Sequence, residues 1–170
     1  QHDIMADDIV EIHVECMRRL AIFNTRHPEN ELAARASLPY CLAVAVCTRD
    51  RSQLLGPAFR AELLADKTIR AAADKVRVTV NEDYERQYPA RSLARVTLRL
   101  RNGESYSQEG DRSARARYLT PTDQDIEEKF RLIATPVLGR SKTDRVVALV
   151  QKFETLDHVR ELIDALCVNA

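Results

Sequence analysis

Along the first part of the chain, apolar and polar residues alternate. From Ile9 to Cys16, Ile12, Val14 and Cys16 fall on one side and Glu11, His13 and Glu15 on the other, the period of two that marks a half-buried strand. The pattern predicts a strand there, with His13 on the solvent side. "KVRVTVN" repeats the alternation, with Val76, Val78 and Val80 inward and Lys75, Arg77 and Thr79 outward. "LARVTLRL" does so again with Val96, Leu98 and Leu100. Asn102 and Gly103 follow at once, and Asn-Gly between alternating runs predicts a hairpin closed by a type I′ turn.

Between these strands the pattern changes. "NTRHPENELAARA" is polar and turn-rich and reads as an irregular connection. Ser37 then stands where an N-cap belongs, with Pro39 in the first turn and Leu42, Ala43, Val46 and Cys47 extending an apolar helical face. "TRDRSQLLGP" reads as a loop, residues 58–75 as one or two short helices with Asp66 as a cap, and residues 81–91 as a polar excursion. After Gly110, "DRSARARYLTP" is basic and aperiodic; Arg112, Arg115 and Arg117 are read as solvated charge, with anion binding as the alternative. From Thr122 the period is helical through Ile126, Phe130 and Ile133, with Pro136 expected to kink or end the run. Ser141 is expected to cap the next helix, and a short amphipathic helix closes the chain. The order predicts an α+β fold: an antiparallel sheet of about four strands with helices on one face, over residues 1–118, and a C-terminal helical segment over 119–170.

Composition narrows the function classes. A chain of 170 residues can bury roughly 70% of its unfolded surface. Its 26 lysines and arginines balance 26 aspartates and glutamates, leaving no net field to draw in nucleic acid or an anionic membrane. No apolar run approaches the length of a membrane span and the opening segment is acidic, so a soluble, cytoplasmic protein is expected. Four glycines exclude a Gly-rich phosphate loop, and neither G-x-S-x-G nor H-E-x-x-H occurs. The four cysteines lack metal-ligand spacing and are expected as reduced structural thiols. The four histidines fall on different elements.

One stretch is more specific. "HPENELAARASLPYCLAVAV" resembles a segment of the MmgE/PrpD family of 2-methylcitrate dehydratases, cis-aconitate decarboxylases and iminodisuccinate epimerases. His27, Pro28, Ala34, Arg35, Ser37, Leu38, Pro39, Tyr40, Ala43 and Ala45 carry the likeness, while Ala36 replaces the usual aromatic. "DIVEIHVE", "KVRVTVN" and "ARVTLRLRNGESYS" resemble the family's strands in the same order, and Gly110, Asp111, Lys129 and Phe130 its G-D…KF ending. "DRSARARYLT" departs from the proline-containing step usual after G-D.

The resemblance implies that the chain is the C-terminal portion of such an enzyme. Residues 1 to about 118 would form a small α+β lid, and the rest helices that return to a large helical domain carrying most catalytic residues. It implies a small polycarboxylate substrate such as 2-methylcitrate or cis-aconitate, no metal and no cofactor. The partners expected are that N-terminal helical domain and a second copy in a homodimer, with neither nucleic acid nor membrane. Tyr40 is the implied catalytic residue, a proton donor or relay at a helix entrance where free amides would welcome a carboxylate. Its alternative is a tyrosine packed on the sheet. Arg35, Ser37 and His27 are the implied substrate-binding residues; a surface charge for Arg35 and a cap for Ser37 are the bland alternatives. In isolation the chain is expected to be inactive. The competing reading is a free-standing α+β oligomerisation or small-ligand-binding module.

Overall fold

The alternating segments pair into one sheet in this computed structural model, which describes residues 4–113 and 121–167. The strands are β1 (Ile9–Cys16), β2 (Val76–Val80), β3 (Leu93–Leu100) and β4 (Ser105–Asp111). Their order in the sheet is β2-β1-β3-β4. β1 runs antiparallel to β3, and β3 to β4, but β1 and β2 are parallel, with Ile12 opposite Val76 and Cys16 opposite Val80. The expectation of a purely antiparallel sheet is therefore corrected to a mixed one. One polar face suggests antiparallel pairing; here the parallel pair has one too, with His13 opposite Arg77 and Glu15 opposite Thr79 on the polar side.

A parallel pair needs a long crossover, and the chain between β1 and β2 supplies it. It contains α1 (Arg18–Ala21), α2 (Glu31–Arg35), α3 (Leu38–Thr48), α4 (Ala61–Leu64) and α5 (Lys67–Asp74), with 3-10 turns at Arg51–Leu55 and Pro57–Phe59. α2 lies inside the stretch expected to be irregular, capped by Asn30, whose Oδ1 accepts from Ala33 N at 2.9 Å. Asp66 caps α5 as expected, accepting from Thr68 N and Ile69 N.

α3 is apolar around most of its circumference because both of its sides are buried. On one side Leu38, Leu42 and Val46 meet the sheet residues Ile12, Val14 and Val76. On the other, Tyr40, Ala43 and Val44 form a second cluster with Ala34, Ala58, Phe59, Ile69 and Ala73. The polar excursion after β2 contains α6 (Glu82–Gln87), capped by Asn81. The β3–β4 turn is not type I′: Gly103 alone takes positive φ (89°), with Gly103 N bonded to Leu100 O and Leu100 N to Glu104 O. That is the three-residue hairpin with a glycine bulge.

Contacts divide the chain into two units, Gln1–Tyr118 and Leu119–Ala170. The second contains α7 (Asp123–Leu138), α8 (Arg140–Gln151) and α9 (Arg160–Leu166). Thr122 and Asp125 form a reciprocal capping box at the start of α7. Pro136 does not stop the helix at once; α7 continues to Leu138 and ends at Gly139, whose φ is 78°. Gly139 also opens α8, its carbonyl accepting from Thr143 N, so Ser141 lies inside the first turn and is not the cap. Ala134, Thr143, Val146 and Ala165 are buried, while Ile126, Ile133, Val137, Val150 and Ile163 stay exposed. Among the described residues no helix is long and apolar enough to cross a membrane. Of the basic loop, Arg115 and Arg117 lie outside the described residues; Arg112 N donates to Ser92 O at 3.0 Å.

Candidate functional site

The region singled out by sequence is the entrance of α3, and its amides are all accounted for. Ser37 Oγ accepts from Tyr40 N at 2.9 Å and donates to Thr25 O at 2.5 Å. Leu38 N donates to Phe23 O at 2.9 Å, Cys41 N to Ser37 O at 3.1 Å, and Pro39 has no N–H to give. Ser37 itself is 1% exposed. A helix start attracts an anion through unsatisfied amides, and here the preceding loop and the cap have taken them. The expected carboxylate seat among free amides is corrected: Ser37 ties the 22–30 connection to α3.

Tyr40 is likewise directed inward. It is 1% exposed, its hydroxyl donates to Ala58 O at 2.5 Å, and its ring lies 6.4 Å from that of Phe59. Burial pushes its pKa above the ordinary phenol value, and the negative forms of Cys41 and Asp66 add to the effect. The hydroxyl is an interior donor to a backbone carbonyl, so the tyrosine that the resemblance places at an open helix entrance is here packed inward. The turn that closes it off, Pro57–Phe59, straddles the boundary between the stretch read as loop and the stretch read as short helices.

Arg35 stands at the surface of the same assembly. Its guanidinium carbon lies 4.4 Å above the Phe59 ring, while Nε and Nη2 reach Glu31 Oε1 at 3.1 and 2.7 Å. The side chain is 44% exposed. Arg35, Phe59 and Tyr40 thus follow one another from solvent to core, the two rings tilted by 42°. His27 leads elsewhere: its Nε2 meets Asp74 Oδ1 at the end of α5 at 2.7 Å, while neighbouring Arg26 donates to Val76 O at 3.1 Å. Of the four residues expected at the site, Ser37, Tyr40 and Arg35 share one local assembly; His27 pins the connection to α5, and its neighbour Arg26 pins it to β2.

Sequence reasoning missed a second polar constellation, on the polar sheet face. The register places Glu15 opposite Arg95 and Arg95 opposite Glu109. Arg95 Nη2 reaches Glu109 Oε2 at 3.0 Å and Nη1 reaches Glu15 Oε2 at 3.6 Å. Tyr84, from α6, is 5% exposed and donates to Glu109 Oε2 at 2.5 Å. Burial and that bond push its phenol up to about 12. The alternation of charge between strands carries this signal, but only after register is known. His13 lies on the same face, with Nε2 2.8 Å from Thr79 Oγ1.

Among the described residues, no group of three or more histidine, cysteine, aspartate or glutamate side chains is arranged to hold a metal ion. All four cysteines are free thiols. Burial pushes the thiols of Cys16, Cys41 and Cys47 up, which keeps them protonated and unreactive.

None of the curated proteins compared with the chain matches it. A family model does, that of the MmgE/PrpD C-terminal domain, over residues 1–155. This span takes in the whole sheet, the α3 assembly, α7 and α8. The chain belongs to the MmgE/PrpD family and carries its C-terminal domain.

Proposed function

We propose that the chain is the lid-bearing C-terminal portion of an MmgE/PrpD-type lyase acting on a small polycarboxylate such as 2-methylcitrate or cis-aconitate in the cytoplasm. The observation that carries this is the family match over residues 1–155. The pairing of the expected site groups supports the division of labour. The Tyr40 hydroxyl donates a hydrogen bond to Ala58 O and His27 is paired with Asp74. On this reading the base that abstracts a proton beside a carboxylate comes from an N-terminal helical domain, and the α+β unit contributes shape and charge. The chain alone is then inactive, because a half-site lacks the positioning on which catalysis depends.

The test is to assay the chain with 2-methylcitrate and cis-aconitate, alone and joined to the helical portion of a family member. The reading expects turnover only from the joined protein; turnover by the chain alone at a comparable rate contradicts it.

The second reading, a free-standing oligomerisation or ligand-binding module, draws on the exposed Ile126, Ile133, Val150 and Ile163. Apolar surface of that kind calls for cover. In the lyase reading the helical domain covers it within an enzyme that is itself a homodimer. Sedimentation of the chain with and without the helical portion separates the two: self-association that the helical portion does not displace favours the module.

A further inference from the structure

The sheet has two edges, and they differ. β2 stands at one, where the Arg26 guanidinium donates to Val76 O at 3.1 Å. β4 stands at the other, paired with β3 from Ser105 to Asp111 without a break in register. Leu100 N donates to Glu104 O, and bonded residues alternate along an antiparallel ladder. Tyr106, Gln108 and Gly110 therefore bond to β3, while Ser105, Ser107 and Glu109 turn their N–H and C=O groups away from it. Among the described residues, the donor that meets this outward row is Gln108 Nε2, which reaches Glu109 O at 2.8 Å. A regular open edge is a template for another strand, and lysine, proline or a bulge is what discourages pairing there. β4, reading SYSQEGD, has none of the three. Its Glu109 is already bonded to Tyr84 and Arg95, and its Asp111 to Arg91. We infer that β4 pairs antiparallel with β4 of a second copy of this chain, about a twofold axis at Ser107, joining two four-stranded sheets into one.

Charge selects that register. With Ser107 opposite itself, the Ser105 hydroxyl of each copy faces the Glu109 carboxylate of the other. The polar row then runs Glu15, Arg95, Glu109 in one copy and Ser105, Arg99, Glu11 in the next, so that charge keeps alternating across the seam. The two Glu109 side chains stand four residues apart, about 13 Å. Moving the axis to Gln108 brings them onto the near diagonal, and moving it to Glu109 sets them face to face, where like charges destabilise a strand pair. Moving it toward Ser105 carries Glu109 off the end of the neighbouring strand and leaves fewer bonds. In the Ser107 register, Ser105, Ser107 and Glu109 exchange about six backbone bonds with the second copy, and its Ser105 N replaces Gln108 Nε2 at Glu109 O.

Sedimentation of the full chain over a concentration series, with amide hydrogen exchange at the same concentrations, tests the seam. The wild type is expected to form a dimer, and the amides of Ser105, Ser107 and Glu109 are expected to exchange more slowly as the dimer fills. Ser107→Pro removes an N–H that β3 does not use; it deletes both bonds at the axis and should weaken the dimer about thirtyfold. Ser107→Lys keeps the strand, sets like charges opposite each other, and should weaken it about fivefold; it stands in if Ser107→Pro does not fold. Crosslinking reads the register. Residues bonded as a pair lie about 5.5 Å apart at Cα, within the span of a disulfide. Under mild oxidation Ser107→Cys should give a 107–107 disulfide, identified by peptide mapping, and Ser105→Cys should give no 105–105 disulfide.

A wild type that stays monomeric at every concentration overturns the seam, as does a dimer that neither Ser107→Pro nor Ser107→Lys weakens. No disulfide in Ser107→Cys, or a 105–105 disulfide in Ser105→Cys, overturns the register. The seam stands or falls apart from turnover, because it forms with or without the helical portion. Association lost in Ser107→Pro belongs to β4, and association that survives it belongs to the apolar helical faces.

Discussion

Replacing Ser37 with alanine removes a single hydroxyl that serves two groups at once. Ser37 Oγ accepts from Tyr40 N at 2.9 Å and donates to Thr25 O at 2.5 Å, in a side chain sealed from water. Loss of an N-cap costs about 1 kcal/mol. A carbonyl left partly buried without a donor adds about 1 kcal/mol more. The sum, about 2 kcal/mol, is a large fraction of a domain stability of roughly 5–15 kcal/mol and should lower Tm by on the order of 10 °C. Urea unfolding should show a lower midpoint with an unchanged slope, since the exposed surface on unfolding stays the same. Ser37→Asp, which keeps an acceptor for Tyr40 N but offers Thr25 O no proton, should recover part of the loss and no more. A loss below about 0.5 kcal/mol in Ser37→Ala, well under the cap value alone, would mean that the α3 amides and Thr25 O have other partners. The entrance of the helix would then be open after all.

Three further outcomes follow from the same bonds. Tyr84 has its phenol raised to about 12 from an ordinary value near about 10. Its contribution to stability is therefore full below pH about 10 and lost as pH rises through the folded value, so Tyr84→Phe should flatten the alkaline limb of a stability–pH curve. Asp111 is held well below the ordinary carboxylate range by Ser113 Oγ and by Arg91 Nε at 2.8 Å, with help from the Ser92 and Ser113 amides. Its contribution is full above about pH 4 and falls away as pH drops toward the folded value; Asp111→Asn should lower stability near neutrality and shrink the acid limb in urea titrations. Gly103→Ala should cost about 1 kcal/mol by equilibrium unfolding, from positive φ alone, because its new Cβ meets nothing within 4 Å.

What the sequence makes legible is whatever depends on local period or on a cap. β1 and β3 follow from alternation, and the starts of α3 and α5 from Ser37 and Asp66. α2 and α6, of five and six residues, are too short for a helical period to emerge, and only their caps Asn30 and Asn81 mark them. The parallel pairing of β1 with β2 depends on where a crossover of nearly sixty intervening residues lands, which no local pattern encodes. The family likeness is legible in the residues from His27 to Ala45, but the partners of their side chains are not. Ser37 and Tyr40 suit a ligand equally well as amino acids. Their hydroxyls are committed by Thr25 O and Ala58 O, twelve and eighteen residues away, and nothing in the local sequence announces those carbonyls. The Glu15–Arg95–Glu109 row stays hidden for the related reason that it exists only in one strand register.

The claim beneath all of this is that the Tyr40 hydroxyl belongs to the interior and serves Ala58 and Phe59. Tyrosine labelled with carbon-13 at Cζ, with the Tyr40 signal assigned by Tyr40→Phe, tests it in the chain itself. The Tyr40 signal should remain that of the protonated phenol as pH passes about 10, the ordinary value, with the direction of the shift set by burial. A Tyr40 signal that titrates at or below that value would place the hydroxyl in contact with solvent and contradict the account.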